Sequence, residues 1–96
     1  MADAFLLTKA PGEPRSNLCF KVMKHSKNPR LYLAGDGIYH LLKMSGLPAR
    51  KTLACREDIL ARGVPLPRPD SITMPDDFYG QLVKDIMENP DKIYVF

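Results

Sequence analysis

Cys19 and Cys55 are the residues of this chain best suited to covalent chemistry. Two cysteines are too few for a secreted disulfide framework, and no closely spaced Cys/His set has the spacing of a zinc site. No metal is therefore expected. In a reducing compartment such thiols either pack in a core or do thiol chemistry. Cys55 falls where a short apolar run, Lys51 to Ala54, gives way to the charged segment Arg56 to Arg62. That places a thiol between the end of a strand and the start of a helix. Backbone N–H groups and Arg56 there favour a thiolate, whereas Glu57 and Asp58 oppose it. Two readings stand: a reactive thiol titrating below the free value of roughly 8.5, or a buried spectator. Cys19 lies beside Val22 and Met23 on an apolar stripe, where packing is the favoured role, because free cysteine is among the most buried residue types.

The other polar constellations are weaker. Gly35-Asp36-Gly37 lacks the further glycine and lysine of a phosphate loop and reads as a tight turn, with Asp36 facing the strand-end site as the sharper alternative. His25 and His40 have no ligand partner at a useful spacing. No serine stands in a nucleophile elbow, two histidines assemble no triad, and the carboxylates are scattered rather than paired as acid and base. Thr8-Lys9-Ala10 follows the first apolar run where a phosphoacceptor receiver domain would carry an acidic pair.

Short apolar runs alternating with helical stretches must position these groups. Strands are expected over Ala4–Thr8, Arg30–Ala34, Lys51–Ala54, Ser71–Met74 and Lys92–Phe96. Pro14 opens a helix running to about Lys27, with Leu18, Cys19, Val22 and Met23 on one face. Gly37 to Met44 forms a second, stopped by Gly46 and Pro48. Arg56 to Arg62 forms a third, with Gly63 where a left-handed cap belongs. Pro65, Pro67 and Pro69 make an extended linker. Pro75 opens the last helix, whose stripe is Phe78, Leu82, Val83, Ile86 and Met87, closed by Asn89-Pro90. Five strands alternating with four helices predict a mostly parallel five-stranded sheet covered on both faces, an α/β fold of the three-layer α/β/α sandwich kind. Reactive groups in such sheets gather at the carboxyl ends of the strands.

With 96 residues, one domain spanning 1–96 is expected. No run of 18 apolar residues occurs and no signal peptide is visible, so a soluble cytoplasmic protein without membrane contact is expected. Fourteen Lys+Arg against 11 Asp+Glu give a net charge of +3. The basic residues cluster only loosely and are not interleaved with aromatics, so nucleic acid is not an expected partner. The apolar Val64-Pro65-Leu66-Pro67 segment, and Tyr94 or Phe96 at the end of the last strand, predict an oligomer whose interface lies near Cys55.

Several motifs resemble a known family. Leu18-Cys19-Phe20-Lys21 resembles the cysteine-bearing first helix of DsrH. Tyr32-Leu33-Ala34-Gly35-Asp36-Gly37-Ile38-Tyr39 is similar to that branch's Asp-Gly-Ile/Val turn. Glu57-Asp58-Ile59-Leu60-Ala61-Arg62-Gly63 looks like its Asp-Leu-x-Ala-Arg-Gly helix. In order and spacing the chain resembles the DsrE/DsrF/DsrH superfamily of small sulfur-relay proteins over nearly its full length, most closely the DsrH/TusB branch. Cys55, eight residues before Gly63, instead matches the DsrE/TusD position that carries sulfur as a persulfide. The resemblance implies a sulfur carrier whose partners are sulfur donor and acceptor proteins, assembled as a homo-oligomer or with DsrE/DsrF-like subunits. Cys55 would be the carrier thiol and Cys19 a second. Arg56, with Asp36, Gly37 and His40 from the neighbouring strand end, would tune it. The rival expectation is a non-catalytic interaction subunit of the same fold, with both cysteines packed.

Overall fold

The computed structural model describes residues 3–42, 51–65, 72–88 and 92–96. Their elements are β1 (Asp3–Leu7), α1 (Pro14–Lys24), β2 (Pro29–Leu33), a 3₁₀ helix (Gly35–Leu42), β3 (Lys51–Ala54), α2 (Arg56–Ala61), α3 (Phe78–Glu88) and β4 (Ile93–Val95). The strands form one sheet in the order β3-β2-β1-β4, and every neighbouring pair is parallel. Leu7 stands opposite Leu33 and Leu33 opposite Ala54, so these three strands end level with one another.

Among the described residues the sheet has four strands, where five were expected. Within the described part of the strand anticipated over Ser71–Met74, one residue pairs: Thr73 bridges Leu53 in parallel at the outer edge of β3. Its carbonyl accepts from Ala54 N–H (2.9 Å), and its own N–H donates to Thr52 O (3.1 Å). Pro75, two residues on, has no N–H to extend the ladder.

Alternation along the strands sorts the buried side chains into two clusters. Phe5, Leu7, Leu31, Leu33 and Ala54 join Cys19 and Met23 of α1, Ile38 and Leu41 of the 3₁₀ helix, and Ile59 of α2. The intervening positions, Leu6, Tyr32, Ala34 and Leu53, join Cys55 with Phe78, Leu82 and Ile86 of α3. A polar clasp docks α3: the Tyr32 hydroxyl donates to Asp85 Oδ2 at 2.6 Å, and Gln81 Nε2 donates to its Oδ1 at 2.8 Å. Arg30 stands 4.0 Å from the same carboxylate.

Some helix faces differ from expectation. On α1 the buried residues are Ser16, Cys19 and Met23, while Leu18 is 51% exposed. The Ser16 hydroxyl can be buried because it meets the carbonyls of Ala10 (2.8 Å) and Lys9 (3.0 Å). The segment after β2 winds as a 3₁₀ helix from Gly35, two residues before the expected start; Met44 and the stop at Gly46 and Pro48 lie outside the described residues. α3 begins at Phe78 rather than Pro75, because Asp77 caps it by accepting from Gly80 N–H at 3.0 Å. Its closing Asn89-Pro90, like Leu66, Pro67 and Pro69 of the linker, lies outside the described residues. At the other edge Tyr94 stacks on Phe5 (ring centroids 4.9 Å apart) and Phe96 packs on the core, so these two are not the residues left uncovered. Ile93 and Val95 are exposed instead.

Gly37 fixes how closely the 3₁₀ helix approaches the sheet. Its N–H donates to Ala34 O (3.0 Å), and a Cβ there would fall inside the Leu7 carbonyl group. Gly37→Ala is expected to lower stability by about 1–3 kcal/mol, since backbone must shift to make room. Denaturant unfolding checks this, and an unchanged midpoint would show that the approach is not tight.

Candidate functional site

The carboxyl ends of β1, β2 and β3 form one edge of the sheet, and Cys55 is the first residue beyond β3. Its N–H donates to Leu33 O (3.0 Å), which extends the β2–β3 ladder by one bond. Its carbonyl accepts from Ile59 N–H (3.1 Å), which starts α2. Cys55 is thus the N-cap residue, with extended backbone (φ −79°, ψ 111°), and its side chain makes no capping hydrogen bond to the helix. The far end of α2 closes as expected at Gly63, which takes φ +66°, a conformation glycine adopts without strain.

The Cys55 side chain belongs to the α3-side cluster and is 5% exposed. It also lines a pocket of about 120 Å³, shared with Arg56 and Glu57 of α2, Pro75, Asp76 and Asp77 of the approach to α3, and Phe78 and Tyr79 of its first turn. Phe78 is buried, whereas Tyr79 is 56% exposed and packs edge-on against it with centroids 5.1 Å apart. Arg56 meets Asp76 across the mouth at 3.9 Å.

Burial raises the Cys55 pKa above the ordinary thiol value. The Asp58 and Glu57 N–H groups pull it down, but the Asp58 carboxylate pushes back up, and the net direction is upward. The expected depressed pKa is therefore reversed. α2 has only six residues, too short a dipole to outweigh desolvation. Alkylation of Cys55 should consequently accelerate with pH through a midpoint above roughly 8.5. Rates followed by peptide mapping test this, and a midpoint at or below the free-thiol value would contradict it. The Tyr79 phenol is raised as well, by burial first and then by the charges of Asp58 and Cys55.

Of the residues expected to tune the thiol, Arg56 alone lines the pocket among those described. Asp36 pairs with Arg62 Nε at 3.2 Å. Arg62 also reaches Asp58 Oδ1 (3.5 Å), and Gly35 N–H donates to Asp58 Oδ2 (2.8 Å), so the Gly35–Gly37 turn is stapled to α2. Gly37 packs on β1 as described. His40 is buried against α1: its Nε2 lies 3.0 Å from Lys9 O, 3.2 Å from Ser16 Oγ, and its ring meets Phe20 edge-on. A carbonyl only accepts, so Nε2 carries the proton.

Cys19 sits in the other cluster, fully buried, with its Sγ 3.8 Å from Met23 Sδ. Burial pushes its pKa up to about 12. The alternation of the strands places the two thiols on opposite faces of the sheet, so no direct exchange runs between them. Pro75, Asp76, Asp77 and Tyr79 were not anticipated as pocket residues. Asp77, three residues before Gly80, carries the one legible signal, the spacing of an N-cap.

No known protein family matches this chain, and no curated protein matches it.

Proposed function

We propose that this protein is a small sulfur carrier that holds sulfane sulfur on Cys55 and passes it between thiols. One observation carries the reading: the Cys55 thiol stands at the carboxyl edge of a parallel sheet and lines an open pocket. In loading, Cys55 loses its proton and its sulfur attacks the outer sulfur of a donor persulfide. The donor's S–S bond breaks as the Cys55 persulfide forms, and the departing donor thiolate takes up a proton. Unloading is the same exchange with an acceptor thiol as the attacker. No net oxidation occurs, so no cofactor enters the balance. At about 30 Å³ per water, the pocket holds roughly four waters' volume, enough for a persulfide end.

The donor and acceptor are proteins of an intracellular sulfur relay, and the chain works as an oligomer of its own kind or with DsrE/DsrF-like subunits. Its two clusters and helices fit the three-layer α/β/α arrangement. The burial of both thiols favours a second reading, an interaction subunit of such an oligomer that carries no sulfur. Intact-mass spectrometry after incubation with a persulfide donor separates the two. One added sulfur, lost on reduction, is the expected result; a folded protein of unchanged mass would leave the subunit reading.

A further inference from the structure

The pocket around Cys55 is acidic in a chain that is basic overall. Among the described residues lining it, Glu57, Asp76 and Asp77 oppose Arg56, whereas the chain has 14 Lys+Arg against 11 Asp+Glu. Arg56 is already drawn to Asp76 (3.9 Å). Arg62, the next cation in the chain and the C-cap residue of α2, is held by Asp36 and Asp58. Asp77 is fixed on the rim by Gly80 N–H, and the Asp58 carboxylate acts on both Cys55 and Tyr79. An attacking thiolate adds a further negative charge to this rim. A cleft lined by one sign of charge gathers ligands of the other and repels its own.

The pocket's size decides which part of a donor feels that field. A volume of about 120 Å³ admits a sulfur pair and the methylene behind it, so whatever flanks the donor's cysteine rests on Glu57, Asp76 and Asp77. We infer that Cys55 takes sulfur from a polypeptide persulfide flanked by lysine or arginine, and that this acidic rim rejects anionic thiols. The inference rests on the carrier reading for the cargo alone; the charge selection belongs to the thiol itself.

Thiol–disulfide exchange tests the selection without any persulfide. The probes are two symmetric disulfides of capped tripeptides, with the cysteine between two lysines in one and two glutamates in the other. The Cys55 thiolate attacks one sulfur; a Cys55–peptide disulfide forms, the probe's S–S bond breaks, and the released peptide thiolate is protonated. Rates at Cys55, read by intact mass and peptide mapping, are divided by those of a neutral cysteine amide with the same probe. The lysine probe should react about tenfold faster at low salt. In 1 M salt, where the Debye length is ~3 Å, the ratio should fall toward one. It should fall likewise in the triple variant Glu57→Gln, Asp76→Asn, Asp77→Asn, because asparagine still caps α3. Equal rates, a faster glutamate probe, or a preference that survives salt would overturn the inference, and the salt series decides even if the variant does not fold. Retained selection with no persulfide loading would defeat the carrier reading alone, and loading without selection would defeat this inference alone.

Discussion

Cys55→Ser should load no sulfur from a persulfide donor, while Cys19→Ser should load at close to the parent rate. A serine hydroxyl cannot form the S–S bond that holds the cargo, and at Cys55 it remains beside the pocket with solvent in reach. The fold should therefore survive that change. The cost of the Cys19 substitution falls elsewhere. Its side chain is wholly enclosed by apolar neighbours and a thioether sulfur, a poor partner for a hydroxyl. A loss of about 1–3 kcal/mol is expected, seen as a lower unfolding midpoint. Intact mass and denaturant unfolding on the two single variants check both halves. Equal loss of loading in the two would mean that sulfur passes through both thiols, which their placement on opposite faces forbids for a rigid fold.

What could be read beforehand was whatever depended on neighbours in sequence. β1 and β2 are apolar runs closed by Pro11-Gly12 and Gly35, β3 is a short run that gives way to charge at Arg56, and α2 announces itself by that charge at one end and Gly63 at the other. The misreadings arose where the decisive partner lies outside the element itself. Leu18, Cys19, Val22 and Met23 look like a stripe, but α1 buries Ser16 instead of Leu18, because two carbonyls of the preceding loop receive its hydroxyl. The clasp of Tyr32 on Asp85 joins residues 53 apart, and no periodicity reveals it. The same distance hid the site. Cys55 was visible as a strand-to-helix thiol, but the far wall of its pocket comes from Pro75 to Tyr79, brought there by the packing of Phe78 against Tyr32 (ring centroids 6.3 Å apart). The direction of its pKa followed from burial in the cluster that holds Tyr32, Leu53, Phe78 and Leu82, which local charges could not foretell.

Alkaline solution should destabilise this protein more steeply than its overall charge suggests, with Cys19 responsible for much of the effect. Its folded pKa is pushed up to about 12 by burial, against roughly 8.5 for a thiol in the unfolded chain. Below the unfolded value both states hold the proton and the thiol's contribution is complete. Between the two values only the folded state holds it, so stability falls as pH rises and the loss ends near the folded pKa. At about 1.4 kcal/mol per pH unit, the difference between pH 8.5 and 11 is on the order of 3 kcal/mol. Tyr32 acts in the same sense over a higher window, because burial and then its hydrogen bond to Asp85 raise the phenol to about 12. Cys19→Ala removes that residue's contribution and leaves those of Tyr32 and of the raised Cys55 thiol. The variant should start less stable at pH 8, by about 1–2 kcal/mol for the lost packing, and the gap should close or invert by pH 11. Denaturant unfolding of the two proteins at both pH values provides the comparison. Parallel losses in parent and variant would show that the Cys19 thiol titrates as freely in the folded state as in the unfolded chain, and so is not sealed in the core.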